Sequence, residues 1–277
     1  MRAGDVLDGR YRLVQELGRG GFGVVWEAFD ARVGRPVAVK TVAHRDNAHG
    51  AERFLREAGT TGRFMHPNIV VVHDLGEVDH PAGRFGYLVM ELLSGRTLAQ
   101  IVDERMPDLA YTLVWGQHIC VALQVAHAAG VVHRDIKTDN IMITSTGALK
   151  LLDFGISQVE GLSGVTATGA VIGTPHTMAP ERWRGEEADS RSDLHSLGCV
   201  LYEQCTSERP FPGDTLVSVM NQHLTRPTPA PSHRRQGVPA ELDRLVLTLM
   251  AKDPAARPTD ASATRRWLGA IAHTYTG

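Results

Sequence analysis

The chain has 277 residues, 43% hydrophobic and 22% charged, with a formal net charge of −2. That length suits one large domain or two modest ones, and the composition is that of a globular protein. The charge gives no electrostatic case for nucleic acid or for an anionic membrane surface as partner.

Cys120, Cys199 and Cys205 lack metal spacing and do not pair off evenly, as expected of small core residues in a reducing, cytoplasmic setting. Met1–Asp5 lacks the apolar core of a secretory signal. No run approaches the roughly 18 consecutive apolar residues of a membrane span, so no membrane contact is expected from this segment.

From Tyr11 to Lys40 the signals are those of strands. Tyr11–Leu17 leads into Gly18-Arg19-Gly20-Gly21-Phe22-Gly23, and then come Val24–Phe29, a turn near Gly34, and Pro36-Val37-Ala38-Val39-Lys40. A lone G-x-G-x-x-G also marks dinucleotide folds, which need a helix opening at the third glycine. Here β-branched and aromatic residues follow, which points to a strand–turn–strand flap. Without Cβ atoms at Gly18, Gly20 and Gly23, backbone N–H groups can approach phosphate oxygens, and Phe22 sits at the tip to shield them. The absence of G-x-x-x-x-G-K-[ST] argues against a Walker-type NTPase.

Residues 51–58 have helical character and offer Glu52 and Glu57, but Gly59-Thr60-Thr61-Gly62 are poor helix formers. This is the pattern of a helix with a loosely held end. Residues 66–73 and 84–90 read as two more strands with a loop at 79–83, and 91–95 link this sheet to helical sequence. A helix starts at 97–102, and 113–127 is a long apolar helix of the buried kind. Its His118 and His127 have no matching ligands nearby in sequence and read as structural or surface histidines.

The densest chemistry lies between His133 and Gly155. His133-Arg134-Asp135 and Asn140 precede the short apolar run Ile141–Thr144; a Ser145-Thr146-Gly147 turn and Leu149–Leu152 follow, closing on Asp153-Phe154-Gly155. Two such runs around a glycine-containing turn predict a hairpin. The hairpin brings Asn140 near Asp153, an oxygen pair suited to a hard cation such as Mg²⁺, with Asp135 left available as a base. Further on, 157–170 is rich in Gly, Ser and Thr. A buried helix is expected over 192–203, a proline-rich connector over 225–237, helix again from Leu242, and a last helix to about His273.

H-R-D-x-x-x-x-N followed by D-F-G, V-A-V-K at Val37–Lys40, and Ala179-Pro180-Glu181 together resemble the protein kinases, most closely the bacterial, particularly actinobacterial, Ser/Thr branch. The resemblance covers about residues 10–273. It implies an α+β bilobal fold: an antiparallel β-rich N-lobe with one helix (about 10–90), a hinge (about 91–95) and a mainly helical C-lobe (about 96–273).

It also implies transfer of the γ-phosphoryl of Mg-ATP, with Mn²⁺ as a substitute metal, to Ser/Thr hydroxyls of protein substrates. Asp135 would be the base, Lys137 would neutralise the transferring group, and Asn140 and Asp153 would hold metal. Lys40, fixed by Glu57, would bind the α- and β-phosphates. Leu17, Gly18, Gly20, Gly23, Val25, Ala38, Met90, Glu91, Leu93 and Met142 would surround ATP, with Met90 as gatekeeper and backbone contacts from Glu91 and Leu93.

By the same resemblance Thr166 and Thr168 are activation-loop phosphorylation candidates, with Arg134 and Arg53 as phosphate partners, and Thr174 belongs to the substrate platform. Asp193 would brace the catalytic loop, and Arg257 would pair with Glu181. An N-lobe homodimer through Arg10, Val33 and Asp74 is implied as well. Lys137 favours serine or threonine over tyrosine. Two departures stand out: Thr138 replaces the usual proline, expected to loosen the loop slightly, and His195 replaces a common tyrosine. A pseudokinase would need to have lost Lys40, Asp135 or Asp153. A small-molecule phosphotransferase usually lacks the G-T-P and A-P-E elements present at 173–181.

Overall fold

In the computed structural model, residues 1–20, 23–43, 65–153 and 175–276 are described. Six strands form one antiparallel sheet: β1 (Val6–Leu7), β2 (Tyr11–Gly20), β3 (Gly23–Asp30), β4 (Arg35–Ala43), β5 (Val72–His80) and β6 (Gly83–Met90), in the order β1-β2-β3-β4-β6-β5. In β3 the burial alternates, turning Trp26, Ala28 and Asp30 inward. β4 lies between β3 and β6 and is buried without a break from Val37 to Val42. Its sequence is accordingly a near-continuous run of β-formers rather than an alternating one.

The strand expected at 66–73 lies elsewhere: β5 begins only at Val72. Pro67 has no N–H to give to a ladder, and the segment after it is stitched to the other lobe. Leu151 N–H donates to the Asn68 carbonyl (2.8 Å), Val70 N–H to the Leu151 carbonyl (2.9 Å), and the Asn68 amide to the Leu149 carbonyl (2.9 Å). The loop expected at 79–83 shrinks to two residues, because Asp79 and His80 pair with Arg84 and Gly83.

The second lobe opens with β7 (Gly95–Thr97) and α1 (Leu98–Glu104), whose Thr97 forms a capping box with Gln100. Next comes α2 (Leu109–Ala128). Then β8 (Ile141–Thr144) and β9 (Leu149–Leu151) form the expected hairpin and join β7 in a three-stranded sheet. The chain closes with α3 (Pro180–Trp183), α4 (Ser190–Thr206), α5 (Leu216–Thr225), α6 (Ala240–Leu249) and α7 (Ala261–Thr276). α5 was not anticipated. Between α5 and α6 the proline-rich connector holds one 3₁₀ turn, Pro231–His233.

By length and composition α2 is apolar enough to cross a membrane, which amends the expectation that no segment approaches this. Its inward residues Leu113, Ile119, Cys120 and Leu123 are buried in the C-lobe core, and it packs against α7 and α4. This is the interior helix of a helical lobe. α4 is capped by Asp189; Ser192 and Asp193 in its first turn are buried, and their partners shape the site.

Candidate active site

The hairpin β8–β9 sets Asn140 beside Asp153, as expected: Leu152 N–H donates to the Asn140 carbonyl at 2.9 Å. Asn140 donates from Nδ2 to both the Asp135 carbonyl (2.9 Å) and Asp135 Oδ2 (2.8 Å). Lys137 Nζ lies 2.9 Å from the same Oδ2. Asp153 Oδ2 accepts from Lys40 Nζ at 2.9 Å, so an ion pair spans the two lobes. Lys40 is only 5% exposed, which rules out an ordinary solvent-facing lysine at a strand end. Burial works to raise the Asp153 pKa, but the Lys40 ammonium, with His133 and Lys137, outweighs it and holds the carboxyl below its usual range.

Two non-glycine residues in the site have left-handed backbones: Arg134 (φ +66°) and Asp153 (φ +54°). Such conformations cost energy and persist only where surroundings enforce them. Asp193, 0% exposed, supplies the enforcement beneath Arg134. Its Oδ1 accepts from Arg134 N–H (2.7 Å), and its Oδ2 accepts from His133 N–H (2.8 Å) and lies 2.8 Å from His127 Nε2. Burial pushes the Asp193 pKa up, and the His127 hydrogen bond and the other donors pull it further down, below its ordinary value. His127 is therefore structural, as read from sequence. His133 Nε2 contacts the Leu152 carbonyl at 2.8 Å, which fastens the catalytic loop to the residue before Asp153.

Thr138, which replaces the usual proline, is 3% exposed, and its hydroxyl donates to Glu203 Oε2 on α4 at 3.2 Å. Burial raises the Glu203 pKa, against the lowering pull of that bond. A side-chain tie stands here in place of proline's ring.

Ala38 and Met90 are buried together with Val70, and Val25, Leu92, Leu93 and Leu152 pack against them. This apolar layer lies between the lobes. Val25, Ala38, Met90 and Leu93 were expected there, whereas Val70 and Leu152 were not. Met142 is half-buried on β8, across from Lys150. The hinge residue Glu91 is tied through its side chain to Lys150 Nζ (2.6 Å) and Val71 N–H (2.8 Å).

Leu17, Gly18 and Gly20 lie on the exposed end of β2. Gly23 has φ +123°, and a Cβ there would sit 2.1 Å from the Thr41 carbonyl oxygen, so only glycine fits that corner of the loop. Glu181 is locked by Arg257 through two bonds (2.8 and 2.7 Å) and by Ser192 Oγ (2.6 Å), the pairing expected. Arg53, Glu52, Glu57, Phe22, Thr166, Thr168 and Thr174 lie outside the described residues.

Asn140 and Asp153 are hard oxygen donors on either side of the hairpin, and Asp153 is held ionised. With Nδ2 of Asn140 committed to Asp135, its Oδ1 is the atom left to face a cation. One carboxylate and one amide oxygen fit Mg²⁺, which binds few protein ligands and completes its shell with phosphates and water. Fold, strained His133–Asp135 loop and interlobe lysine–aspartate pair together are those of the bilobal protein kinase class.

Comparison with known proteins agrees. The family model "Protein kinase domain" matches residues 11–273, and the chain belongs to that family. It is 45% identical over 267 residues to the serine/threonine-protein kinase PknB of Mycobacterium tuberculosis, covering 94% of this chain. It is 42% identical over 278 residues to a probable PknB of Corynebacterium glutamicum, covering 96% of this chain. The chain spans 42% and 43% of the length of these two relatives. Among solved structures, the Mycobacterium tuberculosis PknI kinase domain matches with a TM-score of 0.77 at 25% identity, covering 98% of each chain.

Proposed function

We propose that the chain is a serine/threonine protein kinase catalytic domain, extending over about residues 10–273, that moves the γ-phosphoryl group of ATP to protein hydroxyls. The observation that carries this is the Asp135–Lys137–Asn140 cluster set beside an interlobe Lys40–Asp153 pair. Asp135 accepts the proton of a serine or threonine hydroxyl as its oxygen bonds to the γ-phosphorus and the bond to the β–γ bridging oxygen breaks, leaving ADP. Lys137, already against Asp135, offsets charge on the group in transfer. Lys40 anchors the α- and β-phosphates from β4. Mg²⁺, or Mn²⁺ in its place, held by Asn140 and Asp153, would neutralise the phosphates when bound. Little covalent chemistry is asked of the protein, so positioning and charge carry the rate.

Val25, Ala38, Met90, Leu93 and Met142 form the adenine pocket in this reading, with Leu17 and the glycine loop above it and backbone contacts from Glu91 and Leu93. Glu57 is the partner of Lys40 in the active state, Thr174 serves the substrate platform, and Thr166 and Thr168 are sites of autophosphorylation. Exposed Val33, near the Arg10–Asp74 pair, supports an N-lobe homodimer. A cytoplasmic location suits an ATP-dependent enzyme with three free, buried cysteines.

The test is incubation with γ-labelled Mg-ATP and an unstructured Ser/Thr/Tyr-containing protein, followed by phosphoamino-acid analysis. Label confined to phosphoserine and phosphothreonine is expected. Label on phosphotyrosine alone, or on small alcohols and amines in place of protein, would overturn the reading.

A further inference from the structure

The left-handed Arg134 has two flanking peptide groups, and each is held from a different helix. Its N–H goes to Asp193 on α4 at 2.7 Å. Its carbonyl oxygen, in the peptide that leads into Asp135, accepts a hydrogen bond from Nη1 of Arg182 on α3. The motifs of the catalytic loop do not include Arg182, and the motif around it ends one residue earlier, at Glu181.

We infer that Arg182 is a positioning residue for the catalytic base, holding the peptide between Arg134 and Asp135 and so joining the helix after A-P-E to the reacting carboxylate. This rests on the reading of Asp135 as that base.

The origin of the Arg182 side chain is fixed on both sides. Glu181 is clamped by Arg257 and Ser192, and Trp183 is buried in a cluster with Met178 and Val219. A helix so anchored presents the guanidinium to the loop without freedom to wander. Guanidinium suits the task, since it is weakly hydrated and tolerates half-burial while presenting several donors in one plane. Burial lowers its pKa from the ordinary value, and the nearby carboxylates Asp135 and Asp193 oppose that. A left-handed residue released on one side can rotate its peptide toward an ordinary φ. That rotation would re-aim the Cα–Cβ bond of Asp135 while leaving Lys40, Asp153 and the apolar layer untouched. The residue thus governs turnover, not nucleotide affinity, and it makes the base depend on an intact anchor at the foot of the substrate platform.

The experiment compares wild type, Arg182→Lys and Arg182→Met for kcat, KM for ATP, thermal midpoint, and amide hydrogen exchange of residues 131–137. Arg182→Met is expected to lower kcat by about tenfold to a hundredfold, as small misplacements of reacting groups do. Its KM for ATP stays within about twofold of wild type, which marks loss of a transition-state interaction and not of uniform binding. Exchange accelerates within 131–137 and not in α2 or α6. Arg182→Lys, able to donate once to the same carbonyl, falls between the two.

A kcat within about twofold of wild type with unchanged exchange in Arg182→Met overturns the inference. So does equal loss in the Lys and Met variants with faster exchange throughout the C-lobe, which is the signature of a folding role. If the wild type transfers no phosphoryl group, the kinase reading fails, and the exchange data alone decide. Acceleration confined to 131–137 keeps the positioning role, and unchanged exchange ends it.

Discussion

The floor and the roof of the cleft are built in opposite ways. On the floor, residues 133–153, side chains from distant helices hold the loop: Asp193 binds the Arg134 N–H, Glu203 binds Thr138, and Arg182 binds the Arg134 carbonyl. On the roof, β2 from Val14 to Gly20 is exposed, and its pairing with β3 shifts register twice, after Leu13 and after Glu16. Side chains from the helices hold the floor, whereas β2 and β3 are joined by their backbone ladder and a Gln15–Glu27 hydrogen bond on the exposed surface. Damage to the floor is therefore expected to reduce turnover and stability together, and damage to the roof to weaken nucleotide binding.

The sharpest way to break that contrast is Asp193→Ala. It removes the acceptor for two buried backbone N–H groups and for His127, and loss of one partner from a buried charged network costs about 3–5 kcal/mol. Denaturant melts should show that loss, and kcat should fall by about a hundredfold or more in the fraction that folds. A floor that kept wild-type kcat without Asp193 would erase the distinction.

Acid should act next, through two buried histidines of the C-lobe. His195 and His223 lie close together, with ring centroids 5.7 Å apart, near Lys252 and Arg257. Burial, with those cations, holds His195 well below its ordinary pKa, and burial, with Lys252, pushes His223 down to about 3. In the unfolded chain both titrate near pH 6.5. Below that pH the unfolded state binds more protons than the folded one, so stability is full above about pH 6.5 and falls as pH drops, by about 1.4 kcal/mol per pH unit for each histidine that stays neutral. Urea midpoints from pH 7.5 to 5 should fall in wild type and fall less steeply in His223→Gln, where His195 remains.

Gly23→Ala probes the roof. Positive φ and the Thr41 carbonyl oppose a Cβ there, with a local cost of about 1–3 kcal/mol. KM for ATP should rise several-fold while kcat stays within about twofold of wild type, the reverse of the floor variants. The smallest effect expected is from Thr138→Val, which leaves Glu203 short of one buried donor at a cost of about 1 kcal/mol, read as a small drop in thermal midpoint.

What was legible in the sequence was what is contiguous. His133–Asn140 and Asp153 carry their chemistry within twenty-odd residues, and one hairpin suffices to bring them together. Glu181–Arg257 and Asp193 came through the family resemblance and hold in the structure. Arg182, Val70 and Leu152 stayed hidden because their roles depend on which elements pack together, and no local pattern reports that. Thr138 belongs with them: its φ freedom is visible in the sequence, but its partner lies 65 residues away. The shift of β5 toward its C-terminal end followed from the stitching of Asn68 and Val70 to β9, a tertiary contact that overrode strand propensity.

In the proposed reaction Asp135, held by Asn140 and the tied floor, is the base of a phosphoryl transfer to protein hydroxyls. The direct measurement is the initial rate of phosphorylation of a Ser/Thr peptide at saturating Mg-ATP by wild type and Asp135→Asn, with nucleotide affinity measured in parallel. The rate should fall by about a hundredfold to ten-thousandfold with affinity unchanged. Equal rates in the two proteins would contradict it.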